Sequence, residues 1–67
     1  MEEIRDANKG QIQLLKVQEV ADILNISRSF VYKLLQDGMI PKIRINKSVR
    51  VVPRDLEEFI EISAADA

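Results

Sequence analysis

Two apolar stripes of helical period sit in "VQEVADILNISRSFVYKLLQDG", residues 17–38, with only Asn25, Ile26 and Ser27 between them. That spacing constrains the fold more than any other feature of the chain. Val17, Val20, Ala21 and Leu24 fall at i, i+3, i+4 and i+7, which predicts a helix over about residues 17–24 with one buried face. Ser27 is a good N-cap for a second helix from Arg28 to about Gln36, and Asp37-Gly38 supplies a left-handed stop. Three residues give neither helix the slack to fold back antiparallel, so the two must cross steeply, as in a helix-turn-helix. Lys16 stands where Ser, Thr or Asp would accept the first free N–H groups, so the first helix is expected to start poorly capped by its own side chains.

At 100° per residue, with Val31 set to zero, Leu34 falls at about 300° and Leu35 at about 40°, and these three define the inward face of the second helix. Ser29 and Lys33 then point straight outward, Tyr32 and Phe30 flank them, and Arg28 lies near the rim. A cationic and aromatic outer face opposite a tight apolar stripe suits a helix that reads a groove, although a plain solvated face would carry similar residues.

Beyond Ile40-Pro41 the chain alternates Lys42, Ile43, Arg44, Ile45, breaks at Asn46-Lys47-Ser48, and resumes as Val49, Arg50, Val51, Val52. Alternation on both sides of a three-residue turn predicts a β-hairpin, with Asn46 able to take a left-handed backbone. Ile43, Ile45, Val49 and Val51 are expected to share its inner face, and Lys42, Arg44 and Arg50 its outer one. Edge-strand charges also block aggregation, a second use for the same residues. Pro53 suits the first position of a third helix and Asp55 its third, with Leu56, Phe59 and Ile60 as its apolar stripe. The fold expected is mainly α with a small β-hairpin, a winged helix-turn-helix over residues 14–62. Residues 1–13 are read as a flexible arm and 63–67 as a frayed tail.

A chain of 67 residues supports one domain at most. It has no Cys and no His, which removes disulfides, thiolate metal sites and the usual general base. With no glycine-rich phosphate loop either, the expectation is a protein without cofactor or metal that is not an enzyme. No apolar run is long enough to span a bilayer and the acidic start is no signal peptide, so a cytoplasmic protein is expected.

Net charge is only −1, but its distribution is lopsided. Residues 28–50 hold Arg28, Lys33, Lys42, Arg44, Lys47 and Arg50 against Asp37 alone, a net +5, whereas from Pro53 onward Arg54 stands against five acids, a net −4. The positive lobe coincides with the second helix and the hairpin, the footprint expected where a polyanion docks.

The segment "LLKVQEVADILNISRSFVYKLLQDGMIPKIRINKSVRVVPRDLEEFI", residues 14–60, resembles the excisionase-type helix-turn-helix family, close in fold to the DNA-binding part of the MerR regulators. "EVADIL" matches its first helix, "SRSFVYKLL" its recognition helix, "DGMIPKIRI" the entry to the wing and "DLEEFI" the closing helix. The resemblance implies helix two in the major groove and the hairpin along the neighbouring backbone or minor groove. Family members include recombination directionality factors, which bend attachment-site DNA and help a tyrosine integrase excise a mobile element, and small transcription regulators. The chain departs from the pattern at Lys16, at Phe30, and at Lys47-Ser48-Val49, where Gly, basic and aromatic residues are typical.

The residues expected at double-stranded DNA are Ser27, Arg28, Ser29, Phe30, Tyr32 and Lys33 on the recognition helix, and Lys42, Arg44, Lys47, Ser48 and Arg50 on the wing. Arg28 and Lys33 can pair with guanine or phosphate, Ser29 suits a phosphate or a base edge, Tyr32 can donate to a phosphate, and Phe30 can pack on thymine methyls or cover the core edge. Cooperative self-association on DNA is expected to supplement one small module, with a tyrosine integrase as further partner. A transcription regulator of the same fold, and a protein-interaction module working through the acidic third helix without DNA, remain open. RNA is disfavoured, because no exposed aromatic platform for single strands is evident.

Overall fold

The computed structural model describes residues 13–66. In chain order they form strand β1 (Leu15–Lys16), helix α1 (Val17–Leu24), helix α2 (Arg28–Gln36), strands β2 (Ile43–Ile45) and β3 (Ser48–Val51), and helix α3 (Pro53–Asp66). The fold is a winged helix-turn-helix, three helices with a small antiparallel sheet. The expected arm lies outside the described residues except at Gln13. No helix among the described residues is long and apolar enough to cross a membrane.

Each helix boundary has a local cause. At α1 the Lys16 side chain accepts nothing, but Glu19 reaches back and its Oε1 accepts the Lys16 backbone N–H at 2.7 Å. That is half of a capping box, and it moderates the expectation of a poorly capped start. Helix α1 stops at Asn25, left-handed at φ 60°, where the Ile26 N–H bonds back to the Ala21 carbonyl at 3.0 Å. Ser27 caps α2 as expected, its Oγ accepting the Phe30 N–H at 3.1 Å. At the far end Gly38 takes φ 78°, and the N–H groups of Gly38 and Met39 bond to the carbonyls of Leu35 and Leu34. This Schellman stop uses the one residue type that takes the left-handed region without Cβ strain.

The core is a single cluster of Val17, Val20, Ala21, Val31, Leu35, Ile40, Val51 and Leu56. Val31 and Leu35 are the buried residues of α2, and Leu34 is half-buried. Ile40 is fully buried and follows directly on the Gly38 stop, so it anchors the approach to the wing. Helix α3 buries Leu56 and half-buries Phe59, while Ile60, expected inside, is 39% exposed. Its helical backbone runs through Asp66, beyond the end at residue 62 expected from the sequence.

The wing differs from expectation in register. Ile45 pairs with Ser48, Arg44 with Val49 and Ile43 with Arg50, so the turn is the two residues Asn46-Lys47, with Asn46 at φ 59°. Directly opposed residues share a face, and a one-residue change in loop length exchanges faces on one strand. Ile43 and Ile45 therefore stand beside Arg50 and Ser48 on the outer face, where both isoleucines are exposed, and not beside Val49 and Val51. Arg44 conversely shares the inner face with Val49, beyond the edge of the core. Strand β1 adds a third member in the order β1-β3-β2, with Leu15 opposite Val51 and Lys16 opposite Arg50. The inner face thus reads Leu15, Val51, Val49, Arg44.

Candidate nucleic-acid interface

Strand β1 ends at Lys16, so the edge of β3 that β1 covers at Arg50 and Val51 has no strand partner at Ser48 and Val49 among the described residues. Between this open edge, the start of α1 and the first two turns of α2 lies a concavity of about 300 Å3. Its walls carry Lys16, Arg28, Lys47 and Arg50 together with Tyr32, Ser48 and Gln18, and no carboxylate among the described residues. The Arg50 guanidinium is fixed there by donating to the Val49 carbonyl at 2.9 Å, which occupies one of its N–H groups and, among the described residues, leaves the others. Gln18 is turned along its own helix, its amide nitrogen donating to Asp22 Oδ1 at 3.0 Å.

A second concavity, of about 320 Å3, lies on the other side of Tyr32, lined by Leu35, Gln36, Lys42, Arg44 and Val49. Tyr32 is thus a wall common to both, half-exposed, with cations on either hand. Lys33 projects from the neighbouring outward position with its side chain 70% exposed, 3.8 Å from Asp37 one turn on. So exposed a pair is worth little to the fold, and Lys33 can leave Asp37 for an anion at small cost. Ser29 is exposed on the same helix.

The structure therefore gathers Arg28, Tyr32, Lys47, Ser48 and Arg50 around one concavity and Tyr32, Lys42 and Arg44 around the next. Ser27 is engaged as the cap. Phe30 is not part of this assembly. It lines an apolar groove of about 270 Å3 with Leu24, Ile26, Leu34, Phe59 and Ser63, on the flank of α2 that faces α3. Its wheel position, opposite Tyr32, already separates the two aromatics. Lys16 was missed because a lone lysine at a cap position carries no periodic signal; only its pairing with Arg50 across β1 and β3 brings it to the cationic side.

A helix-turn-helix domain family matches residues 14–61. Two proteins from two strains of Mycobacterium tuberculosis, each named "Putative DNA-binding protein", are 34% identical over 62 residues, covering 92% of this chain and 80% of each relative. The "Uncharacterized protein YvgK" of Bacillus subtilis is 35% identical over 43 residues, 64% of this chain but 14% of that much longer protein. No solved structure gives a significant match. The match covers both helices of the turn, the whole wing and most of α3: the chain belongs to the helix-turn-helix domain family.

Proposed function

We propose that this protein binds double-stranded DNA sequence-specifically, with α2 in the major groove and the wing against the adjacent backbone. The observation that carries this reading is the band of cations on both sides of Tyr32, with no acid among the described residues in the wall of either concavity. Membership of the helix-turn-helix family and the names of the mycobacterial relatives support it. On α2, Arg28, Ser29 and Lys33 are the side chains to reach base edges or phosphates, each good base-edge pair discriminating by about 1–3 kcal/mol. On the wing, Lys42, Arg44, Lys47 and Arg50 take phosphates.

Within that reading the finer role is that of an excisionase, related to the MerR-like winged helices. The protein binds repeated sites at an attachment sequence and bends the DNA so that a tyrosine integrase can assemble an excisive complex. A single module of this kind buries only about 600–1,000 Å2 on DNA, so cooperative occupancy by several copies supplies useful affinity.

The test is a gel-shift titration of the full chain against DNA from its own genomic neighbourhood, at two salt concentrations, with unrelated DNA as competitor. Stepwise, salt-sensitive shifts that survive the competitor are expected, and Lys33→Ala and Arg44→Ala should each weaken them while leaving the fold intact. Sites confined to a promoter, with no bend on circular-permutation analysis, would replace excision by transcriptional control. No shift at micromolar protein would remove the DNA reading altogether.

A further inference from the structure

We propose that the concavity between α1, α2 and β3 is a clamp for one phosphodiester group of the DNA backbone, and that Lys16 is one of its jaws. The proposal rests on the DNA-binding reading above and adds to it a ligand chemistry, a stoichiometry and a residue outside the recognition helix and wing.

Four cations from three separated stretches of chain line this one space: Lys16 ahead of α1, Arg28 at the start of α2, and Lys47 and Arg50 on the wing. Side chains that only kept the protein dissolved would have no reason to converge, because like charges around one concavity raise each other's energy. An anion in their midst reverses that cost. The donors suit a phosphate: an ammonium brings three N–H groups and a guanidinium five, and Tyr32 and Ser48 add hydroxyls to the same walls. Arg50 is already oriented by its bond to the Val49 carbonyl, so its remaining N–H groups lose little freedom on binding. About 300 Å3 holds a phosphate with part of its hydration. One clamped phosphate would tie the wing to the first turn of α2 and fix the register in which that helix meets the bases.

Sharing one phosphate has a signature that separate contacts lack. Each phosphate neutralised contributes about 0.9 to the slope of log affinity against log salt on B-DNA. Four cations on four phosphates would lose that amount with each one removed, whereas four cations on one phosphate keep most of it while the others remain. The experiment measures affinity of the full chain for a single-site duplex across salt, for wild type, Lys16→Met, Arg50→Met and the double variant. Lys16→Met leaves the helix start intact, since Glu19 accepts the backbone N–H and not the side chain. Circular dichroism checks that Arg50→Met is folded. Each single change should lower affinity about tenfold but the slope by much less than about 0.9, because the remaining cations still neutralise the phosphate, and the double change should cost less affinity than the two singles combined. In parallel, duplexes carrying one neutral methylphosphonate at successive positions should include one that weakens wild type markedly more than it weakens Lys16→Met.

A slope loss of about 0.9 for each single change and about 1.8 for the double would overturn the clamp in favour of separate contacts. So would wild-type affinity in Lys16→Met, or the absence of any methylphosphonate position with the expected pairing; in each case DNA binding itself would stand. If wild type binds no DNA, both readings fall. Notch amides that then shift in NMR spectra with inorganic phosphate would identify a free phosphoryl ligand in place of the backbone.

Discussion

Truncating Ile40 tests whether the wing is held to the helix-turn-helix as described. This side chain is fully buried, two residues after the left-handed Gly38 and three before β2, so it joins the end of α2 to the hairpin through the common core. Ile40→Val removes one methylene, about 0.8 kcal/mol of transfer energy plus a small cavity term, for a loss of about 1 kcal/mol. Ile40→Ala removes three carbons, about 2.4 kcal/mol of transfer energy, and the larger cavity raises the loss to about 4 kcal/mol. A domain of this length has a total stability of about 3–10 kcal/mol, so the alanine variant should be largely unfolded or close to it. The valine variant should lose about 4–8 °C in Tm. Urea unfolding followed by far-UV circular dichroism gives both free energies, and Met39→Ala serves as the neighbouring control, since Met39 is 58% exposed. An Ile40→Ala loss below about 1 kcal/mol, or a Met39→Ala loss as large as that at Ile40, would refute the placement of Ile40 as the core anchor.

Ser27→Ala should cost about 1 kcal/mol in urea unfolding, because the Phe30 N–H would lose its acceptor. Gly38→Ala meets nothing within 4 Å of the added methyl, so its cost is backbone strain alone, about 1 kcal/mol, and Gly38→Asn should recover part of it. Tyr32→Ala should weaken DNA binding in a fluorescence-anisotropy titration, whereas Phe30→Ala should leave it within about twofold, since Phe30 faces the α3 groove.

The helices were legible because a 3.6-residue period, a serine cap and a glycine stop all mark the same boundaries in "SRSFVYKLLQDG". The wing was legible as a hairpin but not in register. Three polar residues, Asn46-Lys47-Ser48, separate its apolar runs, and only the left-handed Asn46 with Ser48 paired to Ile45 settles the loop at two. That single residue decides that Arg44 lies on the α2 side and that Ile43 and Ile45 lie on the outside. Strand β1 has two residues, too few for any alternation to register, and with it went the signal that Lys16 meets Arg50. Phe30 flanks the outward face on the helical wheel opposite Tyr32, with either thymine contact or cover for the core edge open to it, and the structure sets it in the groove beside α3.

Helix α2 lies between two opposed charge fields, which explains how a chain of net charge −1 can approach DNA. The wing and Lys16 flank it on the Tyr32 side, whereas α3 packs on the Phe30 and Leu34 side and carries Glu57, Glu58 and Glu61 exposed. A helix with its side chains is about 10–12 Å across, so acids on the far side of α2 are separated by about that much from a phosphate held in the concavity. The Debye length is about 8 Å at physiological salt and about 30 Å at 0.01 M. The acids of α3 are therefore screened from bound DNA in the first case and felt in the second. Replacing Glu57, Glu58 and Glu61 together by Gln should raise the association rate several-fold at 0.01 M salt and leave it nearly unchanged at 0.15 M, with stopped-flow fluorescence as the assay. An equal gain at both salt concentrations would place these carboxylates within direct reach of the DNA. The separation of charge across α2 would then be wrong.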